Sequence, residues 1–463
     1  MSKQRVDDCI MRYNYLIKSA LIAALGGLLF GFDTAVISGT TTALEEVYGL
    51  SKFSLGLTVA VALIGTIIGA LVAAKPADIY GRKNMLFIIG AVYFVSAIGS
   101  AFAWDWYSFV IFRLIGGLGV GAASVVSPLY IAEISPAHMR GRLVAFTQFN
   151  IVLGLLLAFA SNYYISSLDL GAVEWRWMFG VEAVPAALFF VLLFLTPYSP
   201  RWLVRQNRIQ EAQATLSKLG LDDQEAMDQI EDIKQSIDKK YHDLQEPLFQ
   251  RAYTKPIMLA FAIAMFNQLS GISALMYYAP TIFKMAGSGE ESALLQTVGV
   301  GVINLFFTMM AMTVIDRFGR RTLMLVCSFG YIISLSVVAW AFFTYGDDFA
   351  TGRPSEGGII VLISLGVFIA SHAFGQGAVI WVFLSEIFPN RVRAKGQAFG
   401  SFVHWFMAAA ISWTFPIIAE ISGGYTFAFY AVMMVVQLFW VIKIMPETKE
   451  LSLENIQKKL GIT

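Results

Sequence analysis

A carboxylate and an arginine lie inside stretches of the chain that are otherwise apolar. Asp33 follows a long apolar run, and Arg113 opens another, just before the glycine-rich segment 114–121. Burying a charged side chain inside a membrane span costs free energy, so such a residue by default indicates a functional site. Because the glycines let a neighbouring helix approach Arg113 closely, we expect the two groups to pair. The protonation state of a buried Asp–Arg pair responds to water access and to conformation, which suits proton coupling. A purely structural ion pair is the alternative.

The elements that must position these charges are membrane-spanning helices. Of the 463 residues, 57% are hydrophobic and 14% are charged, whereas a soluble domain has about 25% charged residues. Apolar stretches of about 20 residues, each long enough to cross a bilayer, recur along the chain. The predicted spans are 17–38, 54–74, 84–104, 108–131, 143–165, 177–196, 256–282, 294–315, 322–344, 358–384, 397–419 and 425–445.

A long polar stretch divides these spans six and six. We predict an N-terminal six-helix bundle over 1–200, a cytoplasmic helical linker over 201–255, a second six-helix bundle over 256–446 and a cytoplasmic tail over 447–463. A solvated linker without helices is the alternative for 201–255. Lys and Arg concentrate in the loops on one side, so both termini are predicted to be cytoplasmic.

The two halves carry the same charged motifs at matching loop positions. Asp-x-x-Gly-Arg occupies 78–82 after the second span and 316–320 after the eighth, 238 residues later. Glu-Ile-x-Pro occupies 133–136 and recurs at 386–389, 253 residues later. A duplicated six-helix unit is typical of transporters whose substrate binds between two halves near the middle of the membrane.

Acidic and basic side chains in these loops are placed to hold the halves together on the cytoplasmic side. An exposed ion pair contributes only about 0–1 kcal/mol, but a network of pairs can bias one conformation. The alternative is that the charges only set topology, although acidic residues contribute little to orientation. The predicted gate residues are Asp78, Arg82, Glu133, Arg140, Asp316, Arg320, Glu386 and Arg393.

Four runs carry a resemblance to a known family: 31–39 (Gly-Phe-Asp-Thr-Ala-Val-Ile-Ser-Gly), 128–133, 381–389 (Trp-Val-Phe-Leu-Ser-Glu-Ile-Phe-Pro) and 446–449 (Pro-Glu-Thr-Lys). With them the chain resembles the sugar porter family of the major facilitator superfamily over essentially its whole length. It is most similar to bacterial proton-coupled monosaccharide symporters of the xylose–proton symporter type. The implied fold is an all-α integral membrane protein of twelve helices in two bundles, located in the bacterial inner membrane.

The resemblance implies roles for the intramembrane and gate charges. Asp33 matches the residue that binds the proton in the symporters, and Arg113 matches its partner. Glu182 matches another acidic position linked to coupling, although a structural role is an equal alternative. The gate residues match those that close the cytoplasmic side in the outward-facing state. Tyr198 stands where the family has Glu, so one acidic partner is missing.

Amides and hydroxyls inside spans should face a cavity, because exposure to lipid is costly. Such groups beside Trp or Tyr suit a sugar, which needs hydrogen bonds to its hydroxyls and apolar contact with its ring. Interhelical hydrogen bonding is the alternative, and a break is expected near Pro280. The candidate sugar-binding residues, some carried over from the family and some chosen by residue type, are Gln148, Asn150, Asn267, Gln268, Ser273, Tyr277, Asn304, Trp381, His404 and Trp405.

Other functions fit the sequence less well. It has no phosphate-binding loop, metal cluster or nucleophile constellation, so we predict no enzyme and no cofactor. Cys9 and Cys327 are read as free thiols. The expected partners are a sugar or polyol, the proton and the lipid bilayer, without nucleic acid, and the chain is expected to be a monomer. A passive sugar uniporter is the first alternative, which Asp33 opposes; a sugar receptor without transport is the second.

Overall fold

The structure is a computed structural model that describes residues 3–243, 246–351, 355–389, 391–449, 456 and 460. The side chains of 3–12, 137, 236–243 and 316 are not described. The described residues form helices joined by short turns, with no strand among them. The predicted all-α class is therefore confirmed for this part of the chain.

The first half of the chain and the linker contribute twelve α-helices: α1 (Lys3–Val36), α2 (Thr41–Tyr48), α3 (Lys52–Val72), α4 (Ala74–Tyr80), α5 (Arg82–Ala101), α6 (Trp106–Ile134), α7 (Ala137–Ser166), α8 (Glu174–Gly180), α9 (Ala183–Leu192), α10 (Pro200–Arg205), α11 (Ile209–Lys218) and α12 (Asp223–Asp243). The second half contributes nine: α13 (Thr254–Leu269), α14 (Ile272–Met285), α15 (Glu290–Phe318), α16 (Arg320–Thr344), α17 (Gly346–Ala350), α18 (Glu356–Phe374), α19 (Gln376–Glu386), α20 (Arg393–Ile421) and α21 (Gly423–Lys443). We call α1–α9 the N-half and α13–α21 the C-half.

Within the described ranges, twelve helical segments are long and apolar enough to cross a membrane. They coincide with the twelve predicted spans, six in each half. Three of them are broken and consist of two helices each: α8 with α9, α13 with α14, and α18 with α19. Many large apolar side chains along these helices are exposed, as expected of a surface that faces lipid.

The linker is helical where it is described. Helices α11 and α12 lie within the stretch 201–255, for which the sequence predicts a helical linker. Together with α10 they bury a small core of their own around Trp202, Leu203 and Leu216. Most of the predicted tail lies outside the described residues, and the domain boundaries at 200, 255 and 446 stay predictions.

Glycine permits the close helix packing that surrounds the intramembrane charges. A Cβ at Gly117 would lie 2.0 Å from the carbonyl oxygen of Ala62, so α6 and α3 touch through their backbones there. A Cβ at Gly31 would lie 1.9 Å from the carbonyl oxygen of Ile151, which brings α1 against α7. These contacts exclude any larger side chain without movement of the helices.

The two halves touch at their predicted extracellular ends. The hydroxyls of Thr41 and Thr281 are 3.1 Å apart, and Lys284 Nζ lies 3.4 Å from Thr42 Oγ1. A Cβ at Gly56 on α3 would lie 2.1 Å from the carbonyl oxygen of Trp413 on α20. The halves are therefore in direct contact with each other on this side.

Candidate functional site

Asp33 and Arg113 form an ion pair inside the N-half. Arg113 Nη1 donates to Asp33 Oδ1 at 2.6 Å, and Nη2 donates to the backbone oxygen of Asp33 at 3.0 Å. Each residue is 1% exposed. Helices α1 and α6 supply the two groups, which are 80 positions apart in sequence, so the expected pairing is present in the structure.

The pair borders a small cavity to which both halves contribute. Asp33, Thr34 and Arg113 line it from the N-half, whereas Tyr277 and Trp405 line it from the C-half. Its volume is about 10 Å³, close to what a single water molecule requires. A water or a sugar hydroxyl that entered here would contact the ion pair and the opposite half at once.

Glu182 lies near this pair, but it is not bonded to it. The residue occupies the junction between α8 and α9 and is 1% exposed. Asp33 and Arg113 are its electrostatic neighbours. Neither carboxylate oxygen has a hydrogen-bond partner among the described residues.

The seventh span is broken where its amides lie. Gly271 has φ +88°, which separates α13 from α14 and places a tight turn after Gln268. Gln268 Nε2 donates to Asn267 Oδ1 at 3.0 Å, and Ser273 Oγ donates to Gln268 Oε1 at 2.6 Å. The break expected near Pro280 is a kink at Tyr278, whose φ is −131° and ψ 20°.

His404 and two tryptophans surround this amide cluster. Gln268 Nε2 lies 3.3 Å from Nε2 of His404. The rings of Trp381 and Trp405 lie 5.1 and 4.9 Å from the His404 ring, centroid to centroid. Trp405 also contacts Phe30 of the N-half at 5.7 Å. Amide, hydroxyl, imidazole and aromatic groups thus converge beside the α1 helix that carries Asp33.

Three candidate sugar-binding residues are not joined to this cluster by the described hydrogen bonds. Asn150 Nδ2 donates to the carbonyl oxygen of Phe146 in its own helix at 2.8 Å. Asn304 Oδ1 accepts from Thr308 at 3.4 Å. Gln148 is half-buried on α7. The role of these three residues in binding stays a prediction.

The predicted gate residues of the N-half pair with each other. Arg82 contacts Glu133 at 2.9 Å and Asp78 at 2.7 Å. Ser199 Oγ donates to Glu133 Oε2 at 2.5 Å. Where the family has an acid, the Tyr198 ring instead lies under Lys83, whose Nζ is 5.1 Å from the ring centroid.

The C-half repeats this arrangement. Arg320 Nη2 contacts Glu386 Oε1 at 2.7 Å, and Thr448 Oγ1 donates to Glu386 Oε2 at 2.6 Å. Glu447 accepts from the backbone N–H of Arg320 at 2.9 Å. The side chain of Asp316, a further predicted gate residue of this half, lies outside the described part.

The arginines at the start of the fifth and eleventh spans bind carbonyl groups. Arg140 Nε donates to the oxygen of Ala132 at 3.0 Å, and Arg393 Nε donates to that of Phe388 at 3.3 Å. Among the described side chains, no gate ion pair joins the N-half to the C-half. Among the side chains that the structure describes, the gate ion pairs therefore lie within each half in this conformation.

Sequence reasoning missed a chain of polar side chains inside the C-half. Tyr331 Oη donates to Gln376 Oε1 at 3.0 Å, and Gln376 Nε2 donates to Gln437 Oε1 at 2.9 Å. Gln437 Nε2 then donates to Ser328 Oγ at 2.9 Å. His372 Nδ1 lies 2.7 Å from Tyr331 Oη. We call Ser328, Tyr331, His372, Gln376 and Gln437 the C-half polar chain. The only sequence signal for it was the presence of polar residue types inside apolar spans.

Comparisons with known proteins agree with this geometry. The profile of the family described as "Sugar (and other) transporter" matches residues 19–460. The D-xylose-proton symporter of Escherichia coli K12 is 38% identical, covering 96% of each chain. The glucose transport protein of Synechocystis is 37% identical, covering 94% of this chain and 95% of its own. The inward open structure of the xylose transporter XylE from E. coli superimposes with a TM-score of 0.81 and 37% identity, covering 96% of this chain and 99% of that one.

Proposed function

This chain belongs to the family of sugar (and other) transporters, and from that premise we propose that it imports a monosaccharide together with protons by alternating access. Its membership and its twelve apolar helices make it a sugar transporter of the major facilitator fold and a multi-pass cell membrane protein, not an enzyme. We further propose the bacterial inner membrane, cytoplasmic termini and a monomer.

The buried Asp33–Arg113 pair is the observation that carries proton coupling. Both residues are 1% exposed, and their cavity is shared with Tyr277 and Trp405 of the opposite half. Protonation of Asp33 would remove one charge of the pair and weaken the interaction between α1 and α6. Movement of the C-half away from this cavity would admit water, so proton binding and conformation would be linked.

The amide cluster supports a sugar as the substrate. The seventh-span groups Asn267, Gln268 and Ser273 offer donors and acceptors, and Trp405 offers a flat apolar face. This combination suits a ring with several hydroxyls. Because a hydroxyl at Ser273 and an imidazole at His404 contact Gln268 in this cluster, we propose that they take part in the choice among sugars and polyols.

The contacts between the halves support an inward-facing state. The predicted extracellular ends are in contact through Thr41 and Thr281, while the gate ion pairs among the described side chains stay within each half. We propose that Arg140 and Arg393 exchange their carbonyl partners for acidic side chains of the opposite half when the transporter adopts the outward-facing state. The same charged residues would then stabilise the alternative state.

The test of coupling is Asp33→Asn in protein reconstituted into liposomes. We expect loss of sugar accumulation driven by an imposed pH gradient, together with retained exchange of sugar at equal concentrations. The amide preserves the shape of the side chain but cannot release a proton. A protonophore should abolish accumulation by the parent protein in the same assay.

Asp169→Asn is a matched control, because Asp169 is exposed in a loop and has φ 50°, a conformation that Asn tolerates well. This variant should accumulate sugar like the parent. Full uphill accumulation by Asp33→Asn would exclude Asp33 as the coupling site. If the protonophore also left uptake unchanged, passive uniport would replace symport.

The substrate is tested by competition among pentoses, hexoses and inositols. We expect one class to displace the others and to raise the thermal stability of the purified protein, since a ligand that binds only the folded state stabilises it. Gln268→Leu should abolish that stabilisation. Failure of every sugar and polyol to stabilise or compete would contradict a sugar substrate.

A further inference from the structure

The two halves differ in charge at one corner of their predicted cytoplasmic ends. Ser199 and Thr448 each donate a hydrogen bond to the acid of their own gate cluster. The residues that precede them, Tyr198 and Glu447, therefore occupy corresponding positions. An aromatic side chain in the N-half thus stands where the C-half has an acidic one. This difference leaves the N-half corner one negative charge short of its counterpart.

In the C-half the carboxylate of Glu447 binds the start of α16. It accepts hydrogen bonds from the backbone N–H of Arg320 at 2.9 Å and of Arg321 at 3.1 Å. These are the first two residues of α16, and such N–H groups have no partner within their own helix. A Cβ at Gly319 would lie 2.7 Å from a carboxylate oxygen of Glu447. An anion is therefore closely packed against the start of this helix.

The matching start of α5 in the N-half lacks such an anion. Arg82 and Lys83 are the first two residues of α5. Among the residues that the structure describes, neither backbone N–H donates a hydrogen bond, and Lys83 forms no ion pair. A Cβ at Gly81 would lie 2.9 Å from the ring of Trp202 rather than from a carboxylate. The position that Glu447 fills in the C-half has no acidic counterpart here.

Lys83 carries the positive charge of this corner. Its ammonium group donates to the carbonyl oxygen of Thr196, and its Nζ lies 5.1 Å from the ring centroid of Tyr198 and 5.9 Å from that of Phe87. Tyr198 in turn stacks on Trp202, with the ring centroids 5.5 Å apart. An aromatic ring attracts a cation without neutralising it, and an ammonium has three donors. Lys83 can therefore still bind an anion.

An aromatic surface continues from Lys83 toward the middle of the membrane. Phe87 follows one turn later on α5, and its ring centroid lies 5.2 Å from that of Phe190 and 4.7 Å from that of Phe194. Phe194 is 67% exposed, and an exposed apolar side chain of a membrane span faces lipid. A cationic group and a lipid-facing apolar wall thus adjoin at this corner.

We propose that this corner binds an anionic phospholipid of the cytoplasmic leaflet. The phosphate takes the place that the Glu447 carboxylate has in the C-half, where it contacts the ammonium group of Lys83 and the N–H groups at the start of α5. An acyl chain lies along Phe87, Phe190 and Phe194. Anionic lipids are attracted to basic residues beside the membrane, and basic pockets between spans bind their headgroups. The site is independent of the transported substrate and of proton coupling.

The test is native mass spectrometry of the purified protein with phosphatidylglycerol, with phosphatidylcholine of the same acyl chains, and with inorganic phosphate as a competitor. The parent protein should retain phosphatidylglycerol in preference to phosphatidylcholine, and inorganic phosphate should not displace it. Lys83→Gln should weaken the binding of phosphatidylglycerol about fivefold. Lys18→Gln is the matched control, because Lys18 is exposed near the predicted cytoplasmic end of α1. It should bind phosphatidylglycerol like the parent.

Tyr198→Glu tests the anion position itself, because it installs the acid that the C-half has there. The new carboxylate should take the place of the phosphate, so the preference for phosphatidylglycerol should fall at least as far as in Lys83→Gln. Tyr198→Phe keeps the ring without a charge and should bind like the parent. A loss of preference in Tyr198→Glu alone would show that the acid at this position decides lipid binding.

Three results would overturn the proposal. They are unchanged binding of phosphatidylglycerol in both Lys83→Gln and Tyr198→Glu, an equal loss in Lys18→Gln, and displacement of the lipid by inorganic phosphate, which would make the corner a phosphate site. None of these measurements involves sugar uptake. A failure of the Asp33→Asn assay therefore leaves the lipid result interpretable, and the reverse also holds.

Discussion

The N-half and the C-half both bury polar groups at corresponding positions near their middles. The two halves differ in how these groups are hydrogen-bonded. Tyr93 has two buried acids, Asp33 and Glu182, as electrostatic neighbours, and Asp33 pairs with Arg113. Several polar atoms of this group have no hydrogen-bond partner among the described residues. Around Tyr331 the neighbours are neutral amides, a hydroxyl and His372, joined in an unbroken sequence of hydrogen bonds. The two tyrosines occupy corresponding positions on α5 and α16.

At their predicted cytoplasmic ends the halves are nearly the same. Arg82, Glu133 and Ser199 form one cluster, and Arg320, Glu386 and Thr448 form its counterpart, with similar distances. The duplication has thus preserved the ends of the bundles while their centres have diverged. A neutral network in which every group is hydrogen-bonded holds its helices in one arrangement. A group of charged side chains that lack hydrogen-bond partners can instead change its protonation state. We infer that the C-half is the rigid partner and the N-half the responsive one.

The largest effect expected from this difference follows Arg113→Leu. The change leaves Asp33 charged and buried without its partner, and breaking a buried pair from one side costs about 3–5 kcal/mol. We expect a large drop in thermal stability and loss of uphill uptake. Thermal unfolding in detergent and the liposome assay measure the two effects.

The double variant Asp33→Asn with Arg113→Leu sharpens this result. It removes both charges, so most of the stability should return while uphill uptake stays absent, because replacing a buried pair with neutral groups is often tolerated. Equal stability of Arg113→Leu and the parent protein would contradict the buried pair. It would also weaken the contrast between the two halves.

Gln376→Leu should have an intermediate effect of a different kind. It removes the bonds to Tyr331 and Gln437, and an interhelical hydrogen bond in a membrane contributes about 0.6 kcal/mol on average. We expect a stability loss of about 1–2 kcal/mol from the two bonds and their unpaired remainders. The pH dependence of uptake should be unchanged.

Glu182→Gln is the matched change in the N-half, and it should show the opposite pattern. Its carboxylate has no hydrogen-bond partner among the described residues, so stability should change little while the pH dependence of uptake changes. If Gln376→Leu shifted the pH profile as well, the C-half would not be the neutral, rigid partner that we infer.

Much of the fold was predictable from the sequence because the membrane leaves few options. Each span must be apolar over about 20 residues, and the repeated loop motifs identify two copies of one unit. The pairing of Asp33 with Arg113 followed from the high cost of a lone charge in an apolar span. Both inferences need only the type of each residue and its depth within a membrane span.

The details of the candidate site were not predictable in the same way. Asn267, Gln268 and Ser273 meet because Gly271 breaks the helix, and Asn150 instead binds its own helix. Sequence gives the depth of an amide but not the direction in which it points. The same holds for Tyr93 and Tyr331, whose partners come from other helices.

The smallest expected effect is the most direct test of the comparison. Tyr331→Phe removes a hydroxyl that donates to Gln376 and contacts His372, so it should lower the free energy of unfolding by about 1 kcal/mol. Tyr93→Phe removes a hydroxyl that has no hydrogen-bond partner among the described residues, so it should lower the free energy of unfolding by less. Thermal melts of both variants in one detergent give the difference. A greater loss in Tyr93→Phe than in Tyr331→Phe would mean that the surroundings of Tyr93 are the more rigid of the two, because its hydroxyl would then be holding helices together.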